Sequence, residues 1–193
     1  MPSFGKFQES LEKFHIDEQT ISQINEGYEI IDSKIPKKER ALYFKRAVDI
    51  LAEHIEFQKF REIFEYNACC KGGAREKASK AFAKKNADLS LEAKLELIKK
   101  VPNMGCPVRN EDGTITIHAV NYSDGKKFLC ACPNYNGVKR DYSVSRNYCF
   151  CCAGHFKYHY EIMLGVKLET LEVVSSPLDS EGKNPCIIKY AIL

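Results

Sequence analysis

Thr114-Ile115-Thr116-Ile117-His118-Ala119 is the stretch at which this chain changes its hydrophobic rhythm. Apolar and polar residues alternate there, the period of a strand with one buried face, whereas apolar residues before Gly105 recur at three and four. The change splits a single domain into a helical part, residues 1–105, and a cysteine-rich part that builds sheet, residues 106–193. It predicts an α+β fold: N-terminal helices packed on a C-terminal antiparallel sheet, with one further helix.

Downstream, Asn121-Tyr122-Ser123-Asp124-Gly125 supplies turn residues, and Phe128, Cys130 and Cys132 share one face of a return strand, which predicts a hairpin with Ile115–Ala119. A polar, turn-rich stretch runs from Pro133 to Asn147. Ala153 to Leu164 then reads as a helix ended by Gly165. A last hairpin follows. Its first strand lies near Lys167 to Ser175, and its second sets Cys186, Ile188, Tyr190 and Ile192 on a common face.

Upstream, Phe4, Phe7, Leu11 and Phe14 recur at helical spacing, and Asp17 caps a second short helix carrying Ile21 and Ile24 that Gly27 ends. Pro36 suits the first turn of a long helix. Phe44, Val48, Leu51 and Ile55 make one stripe along it, which Phe60, Ile63 and Phe64 extend. Ser90 opens a further helix with Leu91, Leu95 and Ile98 on one face.

The 29 basic and 26 acidic side chains leave a formal charge of +3, so overall electrostatics calls for neither nucleic acid nor a membrane as partner. No segment approaches the roughly 20 consecutive apolar residues of a bilayer span, and Met1 to His15 lacks the apolar run of a secretory signal. These features predict a cytoplasmic protein. Glutathione and thioredoxin keep thiols reduced in that compartment, so nine cysteines, an odd number, are not a disulfide framework. Oligomeric state is not legible.

Seven of those cysteines fall in the second part. On a strand, Cys130 and Cys132 would point the same way. Cys149 and Cys152 form a C-x-x-C at a helix entry, a spacing that closes two thiolates around tetrahedral zinc. The four make a candidate zinc site, with an iron–sulfur cluster as a less favoured occupant. A second geometry competes for the same residues. Cys152, His155 and His159 fall on one helical stripe, three ligands of an open zinc site. Alternatively, Cys151 or Cys152 is a nucleophile at a helix N-terminus with His155 as its base. Cysteine also packs as a small hydrophobe, the reading given to Cys186, while Cys106 could be core or a spare ligand.

Cys69-Cys70-Lys71-Gly72-Gly73-Ala74-Arg75 is the other unusual segment. Its glycines allow positive φ and close approach of a partner, so Cys69, Cys70 and Arg75, with His159, are candidate ligand-binding residues. It lacks the Gly-Lys-Ser/Thr ending of a phosphate loop. The basic run Lys71, Arg75, Lys77, Lys80, Lys84 and Lys85 reads as a solvated helix face that an anionic substrate or RNA could use, with a nucleic-acid module as the minor alternative.

Tyr148-Cys149-Phe150-Cys151-Cys152-Ala153-Gly154-His155-Phe156, followed by Val173-Val174-Ser175-Ser176-Pro177-Leu178 and Pro185-Cys186, resembles a cysteine-rich bacterial domain family without an assigned reaction. The resemblance takes in the Cys69 to Gly73 segment and Cys130-Ala131-Cys132. Over about the last 65 residues the chain is distantly similar to the 4-vinyl reductase and L-2-amino-thiazoline-4-carboxylic acid hydrolase group. That group implies helices packed on an antiparallel sheet and members that bind small molecules, hydrolyse a thiazoline ring or act as sensors. Cys151-Cys152 and the C-x-C depart from the hydrolase pattern, and no catalytic residue is carried over.

The functional expectation is an intracellular domain that binds a metal, zinc first, or a small ligand through its cysteines. A thiol-dependent hydrolase or related enzyme is the alternative.

Overall fold

A computed structural model describes residues 3–28, 35–68, 71–119 and 122–193. The helical part comprises α1 (Phe4–Lys13), α2 (Glu18–Asn25), α3 (Lys37–His54), α4 (Phe57–Tyr66), α5 (Gly73–Lys85) and α6 (Leu91–Ile98). The second part holds β1 (Cys106–Arg109), β2 (Ile115–His118), β3 (Tyr122–Ser123), β4 (Phe128–Leu129), α7 (Phe150–Leu164), β5 (Leu168–Ser175) and β6 (Ile187–Ile192). A 3-10 turn over Arg146–Cys149 leads into α7. Helices first and an antiparallel sheet second is the predicted α+β order.

Local signals explain the helix starts. Asp17 accepts the Thr20 backbone N–H at 2.9 Å ahead of α2, and Ser90 accepts that of Ala93 at 3.2 Å ahead of α6, each satisfying a donor that the first turn leaves unpaired. Gly165 closes α7 in the left-handed region, with φ 74°. The continuous stripe from Phe44 to Phe64 resolves differently. Ile55 is extended, with φ −132° and ψ 155°, and breaks the run into α3 and α4. The step from Ile55 to Phe60 is five residues, out of phase with a helical face. Turning the chain there buries Phe44, Val48 and Leu51 of α3 together with Phe60, Ile63 and Phe64 of α4.

The four-stranded sheet has the order β1-β2-β6-β5, each neighbour antiparallel. Here the hairpin expectation is corrected. The alternating strand β2 pairs with β1, Pro107 opposite Ile117, and on its other edge with β6, Ile117 opposite Ile188. The signal is Asn110-Glu111-Asp112-Gly113, in which Gly113 takes φ 80° and Asp112 accepts the Thr114 N–H at 3.0 Å. The Phe128 segment pairs only with Tyr122–Ser123, as a separate ribbon. Cys130 and Cys132 therefore lie beyond β4, on irregular chain.

One face of the sheet presents Ile115, Ile117, Ile188 and Tyr190, all buried. The central helix α7 packs against α4, α5 and β5. It is buried nearly all round, hence its lack of a polar face. At Gly154 a Cβ would stand 2.7 Å from the Glu65 carbonyl oxygen, so only glycine permits α4 and α7 to come this close.

Candidate functional site

Tyr148, the residue before the C-x-x-C, builds the seam between core and site. Its ring is fully buried among Phe44, Phe64 and Tyr135, and its hydroxyl reaches the Cys132 sulfur at 3.4 Å. Asn134 Nδ2 donates to the same hydroxyl at 2.8 Å, which leaves the phenolic proton for the sulfur.

Beyond that seam lies a cavity of about 600 Å³, on whose wall stand Cys130, Cys132, Cys149, Cys151, Cys152 and Cys186. They arrive from separate elements. The chain after β4 brings Cys130 and Cys132, the 3-10 turn brings Cys149, the first turn of α7 brings Cys151 and Cys152, and the approach to β6 brings Cys186. All six are free thiols. Cys186, expected in the core, faces the cavity half-buried; its carbonyl accepts the Ala119 N–H at 3.0 Å, one position ahead of β6. Cys106 is neither core nor ligand but exposed on the edge strand β1.

The thiols differ in environment. The Cys151 thiol donates to Cys152, which lowers the Cys152 pKa against the opposing effect of burial, while the same hydrogen bond and burial push Cys151 up. Cys149, which meets the Ser176 hydroxyl at 3.2 Å, is raised first by burial and then by neighbouring thiols. Burial likewise raises Cys130 and Cys132, and pushes Cys186 up to about 12. Charge on Cys152 would further raise Cys130, Cys132, Cys149 and Cys186, which share its cavity. Two backbone donors reach sulfur: the Cys132 N–H on Cys130 at 3.4 Å, and the Asn134 N–H on Cys132.

The cavity also carries positive charge. Lys6, Lys71 and Arg75 line it, and no Asp or Glu does among the described residues. Lys71 donates to the Glu65 carbonyl at 3.0 Å; burial, then the charge of Lys6, depresses its pKa. Arg75, on the first turn of α5, places Nη1 3.1 Å from His155 Nε2. A guanidinium can only donate, so His155 accepts there and carries its proton on Nδ1. Burial, followed by the charges of His159 and Arg75, pushes the His155 pKa down to about 3. His155 is thus a neutral ring whose Nε2 lone pair faces Arg75.

His159 does not line the cavity. The Ser79 hydroxyl donates to the Arg75 carbonyl at 3.1 Å and meets His159 Nδ1 at 2.9 Å, so His159 is the donor in that second contact. Its fully buried ring ties α7 to α5. Gly72 and Gly73 take φ 104° and 63°, as the turn ahead of α5 was expected to need. Cys69 and Cys70 lie outside the described residues.

The structure therefore brings Cys130, Cys132, Cys149 and Cys152 to one cavity with Cys151, His155 and Arg75, and leaves His159 behind it. Among the described residues no three His, Cys, Asp or Glu side chains are drawn together closely enough to hold a metal ion as they stand. No described helix is long and apolar enough to cross a membrane. Sequence reasoning missed Lys6 and the place of Cys186 on the cavity wall, whereas Lys71 and Arg75 belong to the segment the sequence singles out. Lys6 lies 124 positions before Cys130, and only the packing of α1 brings it to the site. No family model, curated protein or solved structure matches the chain.

Proposed function

We propose that the chain binds a small anionic molecule in the cysteine-lined cavity, with Lys6, Lys71 and Arg75 holding the anion and Cys152 meeting a soft or electrophilic atom of the ligand. The observation that carries this reading is the wall itself: among the described residues, six thiols, three cations and no carboxylate around about 600 Å³, a volume in the range of small-ligand sites. Cys152 suits the contact because it lies in the first turn of a 15-residue helix, where the dipole favours a thiolate. Such a site needs free thiols, which a reducing compartment such as the cytoplasm maintains.

Alkylation by iodoacetate, an anion, against iodoacetamide, its neutral counterpart, tests the reading by peptide mapping at neutral pH. Cys152 should react faster with the anion than exposed Cys106 does, and Arg75→Gln should remove the preference. Equal relative rates of the two reagents at Cys152 and Cys106 would contradict it.

A second reading is favoured by the N–H contacts to Cys130 and Cys132. Backbone donors of this kind stabilise sulfur charge, as a metal-bound thiolate requires. In that reading Cys130, Cys132, Cys149 and Cys152 move together around zinc. About one zinc per chain, found by elemental analysis of protein purified without added metal, is the expected result, and Cys130→Ser should release it.

A further inference from the structure

Resting on the ligand-binding reading, we propose that the cavity carries out thiol–disulfide exchange on small anionic disulfides, with Cys152 as the attacking thiol and Cys132 as the resolving one. The two sit on different elements of one wall, Cys152 half-buried on α7 and Cys132, 5% exposed, on the chain after β4. Cys152 is thus the more accessible of the two to a ligand in the cavity. Cys151 is the sequence neighbour of Cys152 within the same helical turn, where bridging adjacent residues would distort the backbone, so it serves as a hydrogen-bond donor instead. Cys132 has what a resolving sulfur needs: the Tyr148 hydroxyl at 3.4 Å and the Asn134 N–H steady the charge it carries as it attacks.

The chemistry balances. Cys152 sulfur, as thiolate, attacks one sulfur of the ligand; the ligand S–S bond breaks, a Cys152–ligand mixed disulfide forms, and the first ligand thiolate leaves. Cys132 gives its proton to solvent and attacks Cys152 sulfur, so the mixed disulfide breaks, a Cys132–Cys152 disulfide forms and the second ligand thiolate departs. The ligand gains two electrons and the protein dithiol loses them. A small dithiol resets the pair.

The test uses full-length protein in which Cys69, Cys70 and Cys106 are serine, so that only cavity thiols remain. The probes are 5,5′-dithiobis(2-nitrobenzoate), a dianionic disulfide, and 4,4′-dithiodipyridine, an uncharged one. With the dianion, two equivalents of thionitrobenzoate should leave in the fast phase, with no retained adduct and a Cys132–Cys152 bridge in the peptide map. Cys152→Ser should abolish the fast phase, and Cys132→Ser should stop at one equivalent with the adduct held on Cys152. Arg75→Gln should slow the dianion about tenfold and leave the uncharged probe unchanged.

A bridge between any other pair, or a stable adduct on Cys152 in the parent protein, overturns the exchange proposal, and the parent result stands even where a variant fails to fold. If the dianion reacts no faster than the uncharged probe relative to their rates with a free small thiol, and iodoacetate also shows no preference for Cys152, the ligand-binding reading falls as well. If iodoacetate keeps its preference while no bridge forms, only the exchange chemistry fails.

Discussion

The aromatic core and the cysteine cavity meet at Tyr148, yet they use burial for opposite ends. In the core, the buried tyrosine hydroxyls find partners. Tyr43 bonds with Gln8 and Asn25, Tyr135 with the Ala41 carbonyl, Tyr160 with Met104 and Tyr190 with Ala153, so rings pack and hydroxyls are satisfied. In the cavity, burial raises most of the thiols and leaves one, Cys152, favoured to ionise by its neighbour. One region spends its apolar surface on a unique packing, and the other keeps about 600 Å³ open beside sulfur and fixed positive charge. Low dielectric stabilises a fold when every polar group is paired, and sorts thiols by reactivity when only some are.

The largest effect belongs on the core side. Phe64, fully buried against Phe7, Phe60 and Tyr148, should cost about 4 kcal/mol as Phe64→Ala in chemical denaturation, because the surrounding rings cannot collapse into the void. Gly154→Ala should cost about 2 kcal/mol, since its Cβ would stand 2.8 Å from the Glu65 Cα and force α4 off α7. At the seam, Tyr148→Phe keeps the ring and removes the hydroxyl that Asn134 Nδ2 and Cys132 share, so a loss of about 1.5 kcal/mol is expected, together with altered Cys132 reactivity.

On the cavity side the effect depends on pH and accumulates on acidification. His155 is neutral in the folded protein down to about pH 3, whereas an unfolded histidine takes a proton near its ordinary 6.5. Between those values the unfolded state binds the extra proton, so stability falls on acidification, by at most about 1.4 kcal/mol per pH unit. His155→Asn should flatten that slope below pH 6 in denaturation curves, and an unchanged slope would contradict the tautomer assigned through Arg75. Smallest of all, Cys186→Ser at the cavity wall should move stability by less than about 0.5 kcal/mol while changing the thiol count that labels.

Much of this contrast was legible in the sequence, and its gaps have physical reasons. Caps at Asp17 and Ser90, the left-handed stop at Gly165 and the last hairpin are local signals that tertiary packing does not override. The partner of β2 was misplaced because two turn signals compete, Asn110 to Gly113 and Asn121 to Gly125, and only the first leads to an edge the sheet can bury. Convergence of Cys130, Cys132, Cys149 and Cys152 followed from ligand spacing, although its support is irregular chain rather than a strand. The cationic wall was legible in part, since Lys71 and Arg75 stand in the glycine turn and basic run that the sequence marks for a ligand or an anion, whereas Lys6 reaches it from α1 and no local signal spans that distance.

The claim beneath all of this is that sulfurs from three separate stretches of chain line one shared space. Dibromobimane, which fluoresces strongly once both of its arms have alkylated thiols, measures that directly when the bridged peptides are mapped from native protein. The account predicts bridges joining Cys152 to Cys130, Cys132 or Cys186, lost on denaturation in favour of scattered products. Single-arm adducts alone, or bridges that avoid Cys152, would contradict it.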